Sequence, residues 1–249
     1  MTDAIVVQVK SIKFAVENNM EYKQKWIYKK TYYPRPTYEF NLPAGHSCPF
    51  AKDCKIKVDE HTGKFDTIGA GYRCYAAIAE RFPGVRKPRW ENFRFVLHGG
   101  KIEVPDNAKY VRIHSSGDFF NQEYFDKWLQ ICREHPYVTF WAFTKSIRFW
   151  LARINELPEN LTMTGSLGGH EDHLIHEHKL KHSRVVKSIE EAKHYDLPID
   201  NDDTLAMIGP YSFALLDNTK FTIKERQELT DLHNQNYQHI FDEVKSKMR

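Results

Sequence analysis

The chain has 249 residues, of which 41% are hydrophobic, and its 36 Lys and Arg against 33 Asp and Glu give a formal net charge of +3. This size allows a substantial core, and the near balance of charge excludes a protein that binds polyanions through its overall charge. No run of about 18 apolar residues occurs, and the N-terminus lacks the pattern of a secretory signal. We therefore expect a cytoplasmic protein with no membrane partner.

Basic and aromatic residues alternate at the end of the first 35 residues. The residues concerned include Lys23, Lys25, Trp26, Lys29 and Lys30. Lysines beside flat rings suit single-stranded nucleic acid, because phosphates pair with the lysines and bases stack on the rings. The same alternation is typical of an amphipathic edge strand whose lysines discourage aggregation. We expect residues 1–35 to form a basic, aromatic β ribbon ahead of one domain over residues 36–249, and single-stranded nucleic acid stays open as a partner.

Strand-like and helix-like segments alternate through the rest of the chain. Strands are predicted in TYEFNL, KYVRIHSSGDF, YVTFWAFTKS, LTMTGSLGG, SRVVKS and TLAMIGPYSFALL. Helices are predicted in YAAIAERF, NQEYFDKWLQICREH, IRFWLARINEL, IEEAKHYD and TIKERQELTDLHNQNYQHIFDEVKSK, the first of them ending at Pro83 and Gly84. This order predicts an α/β fold, with a parallel sheet arranged as a (βα)6-type partial barrel and a C-terminal helix.

Three cysteines, Cys48, Cys54 and Cys74, lie between the first predicted strand and the first predicted helix. In a reducing compartment such cysteines are metal ligands or catalytic groups more often than disulfides. A closed zinc site needs a fourth ligand, for which His46 and His61 are the nearby candidates. Three thiolates can instead hold a four-iron cluster that leaves one iron open. The ligand count favours an iron–sulfur cluster, with zinc or no metal as alternatives.

Polar loops follow three other predicted strands. They are HSSGD, which ends at Asp118, FTKS, which contains Lys145, and GSLGG, which contains Ser166. Because the carboxyl ends of parallel strands meet at one edge, we expect these loops to face the cysteines. Lys145 could neutralise an anionic ligand there, although a surface lysine and an ordinary strand-to-helix turn explain the same residues. Cys132, on the apolar stripe of its helix, is predicted to pack in the core.

Three segments in a fixed order carry a family resemblance: NLPAGHSCPFAKDC with YRCYA, then RIHSSGDFFNQEYFDKWLQICREHPYVTFWAFTKS, then LPIDNDDTLAMIGPYSFALL. They resemble the phage and mobile-element family of gene product 88 over Phe40 to Leu216. This resemblance implies the fold and a phage origin, and hence the host cytoplasm as location. It does not imply a reaction.

A weaker similarity is to radical S-adenosylmethionine (SAM) enzymes, whose partial barrels bind a [4Fe-4S] cluster through three cysteines. It implies a cluster on Cys48, Cys54 and Cys74, although their spacing differs from the C-x3-C-x2-C of those enzymes. It also implies SAM contacts at Ser115, Ser116, Gly117, Asp118 and Ser166. The substrate would be a small molecule or a nucleotide.

The sequence leaves the role of two further clusters of polar side chains open. Asp200, Asp202 and Asp203 could bind Mg²⁺ or act as acid and base, but an aspartate-rich loop or helix cap is the commoner explanation. A histidine-rich segment could bind metal or be solvated; its members are His170, His173, His176, His178 and His182.

Overall fold

The computed structural model describes residues 22–30, 35–66, 74–217 and 221–248. Much of the predicted 1–35 ribbon, and Arg73 beside Cys74, lie outside these ranges. The strands are β1 (Trp26–Lys29), β2 (Thr37–Phe40), β3 (Lys57–Val58), β4 (Phe65–Asp66), β5 (Tyr110–Ile113), β6 (Thr139–Thr144), β7 (Leu161–Ser166), β8 (His182–Val186) and β9 (Phe213–Leu216).

From β4 onward, two helices follow each of β4, β8 and β9, and one helix follows each of β5, β6 and β7. The helices are α1 (Tyr75–Ala79), α2 (Pro83–Leu97), α3 (Gln122–Glu134), α4 (Ile147–Leu151), α5 (Asp172–Glu177), α6 (Ile189–His194), α7 (Thr204–Met207), α8 (Ile223–Asn234) and α9 (Gln238–Lys247). Two 3₁₀ turns, Ile154–Glu156 and Gln235–Tyr237, complete the set. None of the helices in the described ranges is long and apolar enough to span a bilayer.

One mixed sheet organises the chain. Its strand order is β1-β2-β5-β6-β7-β8-β9; β1 runs antiparallel to β2, and the other neighbours are parallel. The six parallel strands therefore follow one another in chain order, each joined to the next by a crossover. β3 and β4 form a separate hairpin. The predicted α/β fold with a mostly parallel sheet is confirmed.

The two faces of the sheet have different partners. On one face, a register row joins Phe40, Ile113, Ala142 and Met163, and this row packs into the main core with Trp128 of α3. On the opposite face, which is covered by α7 and α9 and is called the inner face below, the adjacent row joins Glu39, Arg112, Trp141 and Thr162. Residues of α7 and α9 cover Trp141 and the neighbouring apolar side chains of β9. The inner face thus has polar groups beside a smaller second core.

Three predicted element boundaries are wrong. Pro83 begins α2 instead of ending a helix, because proline at the first helical position loses no intrahelical bond and has a suitable φ. TLAM forms α7, and only Phe213–Leu216 of the predicted last strand is extended. The single closing helix is two helices, α8 and α9, separated by a 3₁₀ turn.

Strand β1 joins the main sheet as its edge. Trp26 packs edge-on against Phe40 and Trp128, with ring centroids 5.3 and 6.5 Å away. Lys25 forms an ion pair with Glu91 at 3.3 Å. This part of the predicted ribbon therefore contributes to the core as well as to the surface.

Candidate functional site

The cysteine-bearing segment after β2 is fastened to the loop after β7. The backbone N–H groups of Lys52 and Asp53 donate to the carbonyl of Gly168 at 3.2 and 2.9 Å, and His170 N donates to Phe50 O at 2.9 Å. The segment turns at Gly45, whose φ is +69° and where a Cβ would lie 2.1 Å from the carbonyl oxygen of Ile56. These contacts hold the segment over the carboxyl ends of the strands.

Cys48, Cys54 and Cys74 are all half-buried, and Cys74 is the N-cap residue of α1. Burial raises the pKa of Cys48 well above its ordinary value, and charges at Asp118, Cys74 and Cys54 raise it further. Burial likewise raises the pKa of Cys74, with Cys54 as the next cause. The three predicted ligands therefore lie near enough to one another for their thiolates to repel.

The side chains do not converge on a point in this conformation. Among residues 22–30, 35–66, 74–217 and 221–248, no three His, Cys, Asp or Glu side chains are arranged to hold a metal ion.

The two candidate histidines have other partners. A ring nitrogen of His46 lies 3.0 Å from the carbonyl oxygen of Val58, and the ring packs on Trp90 at a centroid distance of 4.7 Å. His61 lies in the turn between β3 and β4, where its backbone N–H donates to Asp59. Neither arrangement supplies an obvious fourth ligand to the cysteines.

The HSSGD loop after β5 is bound to the end of β2. The side-chain oxygen of Asn41 accepts from the backbone N–H groups of Ser115 and Ser116 at 2.7 and 3.1 Å, and from Ser115 Oγ at 3.0 Å. Gly117 has φ +89°, and a Cβ there would lie 2.6 Å from both Leu42 Cβ and Ser47 Oγ. The predicted loop thus lies against the cysteine-bearing segment.

Asp118 connects the loops after β5 and β6. Its carboxylate accepts from Phe119 N at 2.7 Å, Thr144 Oγ1 at 2.6 Å and Lys145 N at 2.8 Å. Burial raises the pKa of Asp118 to about 6, against the opposing effect of these hydrogen bonds. Both carboxylate oxygens of Asp118 accept hydrogen bonds from the protein, so Asp118 holds the loops after β5 and β6 together.

Lys145 is buried and not a surface residue. Its Nζ donates to Ser166 Oγ at 2.7 Å and to the carbonyls of Ser166 and Leu167 at 2.9 and 3.0 Å. The lysine therefore fixes the end of β7 beside that of β6. It also places the hydroxyl of Ser166, another predicted contact, within this polar edge.

A polar network on the inner face includes one candidate from the sequence, Asp203, whose partners were not predicted. Asp203 occupies the N-cap position of α7 with φ +62° but makes no side-chain capping bond. Its carboxylate instead accepts from Arg112 Nη1 at 2.8 Å and Trp141 Nε1 at 3.1 Å. Tyr75, next to Cys74, donates its hydroxyl to Ser115 O at 2.6 Å. Sequence spacing gave no signal for this network, because its members come from distant elements.

Of the other two polar clusters, the aspartates have a structural role, whereas the histidine-rich segment stays a prediction. Asp200 accepts from Ala206 N at 3.0 Å and Asp202 accepts from Thr204 N at 3.1 Å, so both cap α7. In the histidine-rich segment, the rings of His176 and His182 lie 5.9 Å apart. The remaining members are His170, His173 and His178, which lie in or beside α5.

Helix α2, which was not predicted from the sequence, holds the segments around the site together by hydrogen bonds. Arg86 donates to the carbonyls of Glu60, Glu80, His61 and Arg81. Asn92 bridges the backbones of β1 and β2, donating to the carbonyls of Lys25 and Asn41 at 2.8 and 3.0 Å. Two polar side chains of α2, six residues apart, thus join the hairpin, α1 and the sheet.

Comparison with known proteins gives a match to a family model. No curated protein and no solved structure matches the chain. The family model described as gene product 88 matches residues 11–230, a range that includes all three cysteines and every loop of the candidate site. The chain therefore belongs to the gene product 88 family.

Proposed function

We propose that this is an iron–sulfur protein in which Cys48, Cys54 and Cys74 hold a [4Fe-4S] cluster at the carboxyl ends of the strands, and that it acts as a radical-SAM-like enzyme. The observation that carries the proposal is the position of the three half-buried thiols, on segments that are tied to the carboxyl ends of the strands. Burial raises the pKa of Cys48 and Cys74, and the charges of the neighbouring thiolates raise it further. Thiolates that repel one another are stabilised when a cationic centre lies between them.

The chemistry of the donor set fits such a cluster. Thiolates are soft ligands that select iron–sulfur clusters or zinc, and a closed zinc site needs a fourth ligand. His46 is engaged by Val58 and Trp90. Three thiolates with one open position suit a cluster that must contact a cofactor or substrate.

The winding of the sheet is compatible with a partial barrel. Six parallel strands in chain order are the arrangement of a (βα) barrel, whereas an open doubly wound sheet reverses its order. In this arrangement the inner face would meet the substrate, a small molecule or nucleotide. Arg112, Asp203 and Tyr75 would orient its polar groups.

In the proposed enzyme, the loops around the cysteines would bind SAM. A [4Fe-4S] cluster held by Cys48, Cys54 and Cys74 would supply one-electron reduction to a SAM molecule bound beside it. Ser115, Ser116, Gly117 and Asp118 would form one wall of a SAM site, and Ser166 would belong to a second wall at the end of β7. Lys145 and Asn41 keep these walls in place through the hydrogen bonds described above. The half-buried position of the cysteines limits the access of water.

Reconstitution of cysteine variants tests the proposal. The protein is incubated anaerobically with iron and sulfide, and C48A, C54A and C74A are compared with C132A. Cys132 is fully buried in the main core and serves as the matched control. We expect about four iron and about four sulfide per chain in the wild type and in C132A, and loss of the cluster in each of the other three. Equal cluster content in all five proteins would contradict the assignment.

Single-stranded nucleic acid is a second candidate ligand, and one observation favours it. Tyr28 on edge strand β1 is 50% exposed, and its ring lies 4.9 Å from that of Tyr38. Lys30 follows it on the surface. Tyr28 is thus a better stacking platform than Trp26, which packs against the core. In this alternative the thiols hold zinc and the protein has no catalytic role.

Filter binding in rising salt tests this second candidate. Electrostatic binding of a single strand weakens steeply with salt, and stacking adds about 1–3 kcal/mol per base. We expect Y28A with K30A to weaken binding of an unstructured oligonucleotide. Unchanged affinity in the double variant, or no salt dependence, rules this surface out.

A further inference from the structure

We infer that Glu80 is a positioning residue for the metal centre, fixing the segments that carry the cysteines and the SSGD loop with one carboxylate. This inference rests on the proposed function, since it assigns a role at the same site. Glu80 was not singled out by any sequence motif. It lies just after α1, six residues beyond Cys74.

One oxygen of Glu80 joins three parts of the site. Oε1 accepts from Ala44 N at 2.8 Å, from Arg89 Nη1 at 2.9 Å and from Ser116 Oγ at 3.3 Å. Ala44 belongs to the segment that continues to Cys48, and Ser116 belongs to the loop after β5. Because Glu80 itself follows the helix that Cys74 caps, its carboxylate sets the distance between both cysteine segments and the loop.

Helix α2 holds Glu80 in turn. Arg89 also donates from Nη1 to Ala76 O at 2.8 Å, and Arg86 donates to the carbonyl of Glu80 at 2.6 Å. The side chains of Glu80 and Arg89 are 0% and 7% exposed. A buried ion pair gains little net stability over apolar residues, because desolvation of both charges offsets their attraction. The effect of the ion pair between Glu80 and Arg89 is therefore to fix the relative positions of the segments that it joins.

The other carboxylate oxygen of Glu80, Oε2, indicates that Glu80 also affects the reduction potential of the metal centre. It is buried and accepts no hydrogen bond from the part of the chain that the structure describes. Glu80 lies at the C-terminal end of the five-residue helix that begins after Cys74. A buried carboxylate near a cluster ligand disfavours the added negative charge of the reduced cluster. Removing that charge should therefore raise the reduction potential.

Two variants of Glu80 separate positioning from general stability. E80Q keeps the shape and an accepting oxygen but removes the charge, whereas E80A removes all three hydrogen bonds. The control is N160A. Asn160 precedes β7, at the amino ends of the strands and so away from the cysteines, and its Nδ2 donates to the carbonyls of Cys132, His135 and Val138, each at 2.9 Å. Urea unfolding measures the stability cost of each change.

Two probes are used on every variant: cobalt(II), whose thiolate charge-transfer absorption reports binding to the cysteines, and anaerobic reconstitution with iron and sulfide. We expect E80A to bind cobalt(II) at least about tenfold more weakly than the wild type, and N160A to bind it normally. We expect E80Q to retain the cluster with a higher reduction potential. If E80A does not fold, the reduction potential of the cluster in E80Q tests the inference.

The outcomes distinguish this inference from the proposed function. Wild-type affinity and potential in both Glu80 variants would overturn the inference and leave the cluster intact. Equal weakening in E80A and N160A would also overturn it, since general destabilisation would then suffice. A wild-type protein that binds neither cobalt(II) nor a cluster would overturn the proposed function, and the inference with it.

Discussion

Gly117 is the predicted site residue whose identity the structure explains most directly. Its φ of +89° is in the region that favours glycine, and a Cβ would meet Leu42 Cβ and Ser47 Oγ at 2.6 Å. We expect G117A to lower the free energy of unfolding by about 2 kcal/mol or more, because backbone strain and overlap add. Urea denaturation measures the loss.

Gly84 is the matched control for that substitution. It lies in the first turn of α2, and a Cβ there has no atom within 4 Å. We expect G84A to stabilise the protein by about 0.5–1 kcal/mol, because alanine restricts the unfolded chain. Similar effects of the two substitutions would show that the approach of Gly117 to Leu42 is not as tight as described.

His114 makes the fold sensitive to acid. Burial lowers its pKa from 6.5 to about 3, and a ring nitrogen pairs with the hydroxyl of Tyr124 at 2.9 Å. The native state therefore binds fewer protons than the unfolded chain between these pH values. The stabilisation is complete above pH 6.5 and is lost as the pH falls toward 3.

The variant H114N tests this dependence, since asparagine tolerates the φ of +65° at this position. Between pH 7 and pH 5 we expect the wild type to lose about 2 kcal/mol more unfolding free energy than H114N does. Urea titrations at several pH values give the difference. A constant difference across this range would mean that His114 titrates normally in the fold.

At the scale of elements, helix α2 is the part of the fold that sequence patterns did not reveal. Its buried face carries Arg86, Arg89 and Asn92, polar residues that hydropathy assigns to the surface, beside Phe93 and Val96. Helix α3 was predictable because its stripe is apolar and Asn121 caps it, accepting from Tyr124 N at 2.8 Å. Hydrophobic periodicity identifies an element only when its buried face is apolar.

Arg86 gives the prediction that belongs to this element. Its guanidinium donates to the carbonyls of Glu60 and Glu80 at 2.7 and 2.6 Å. We expect R86M to cost about 3 kcal/mol, because buried carbonyls lose a charged donor. The neighbouring Lys87 is exposed, and K87M should change stability by less than about 0.5 kcal/mol. Comparable costs in urea denaturation would contradict the bracing role of α2.

At the scale of the whole molecule, the sequence predicted the parallel sheet and the loops that gather at one edge. Cys132 packs in the core as predicted, and the HSSGD loop lies beside the cysteine segment. The sequence could not predict Glu80 or Arg112 as parts of the site, and it offered Asp203 only as a candidate Mg²⁺ ligand, acid or base and not as the partner of Arg112. Their contacts join residues 36 to 91 positions apart, and such pairings depend on tertiary packing, not on local pattern.

The central claim is that three thiols bind one iron–sulfur cluster, and elemental analysis of the anaerobically purified protein tests it most directly. We predict about four iron and about four acid-labile sulfide per chain, with a broad absorption near ~400 nm that is lost on exposure to air. About one zinc per chain without sulfide, or protein free of metal after reconstitution, would contradict the account.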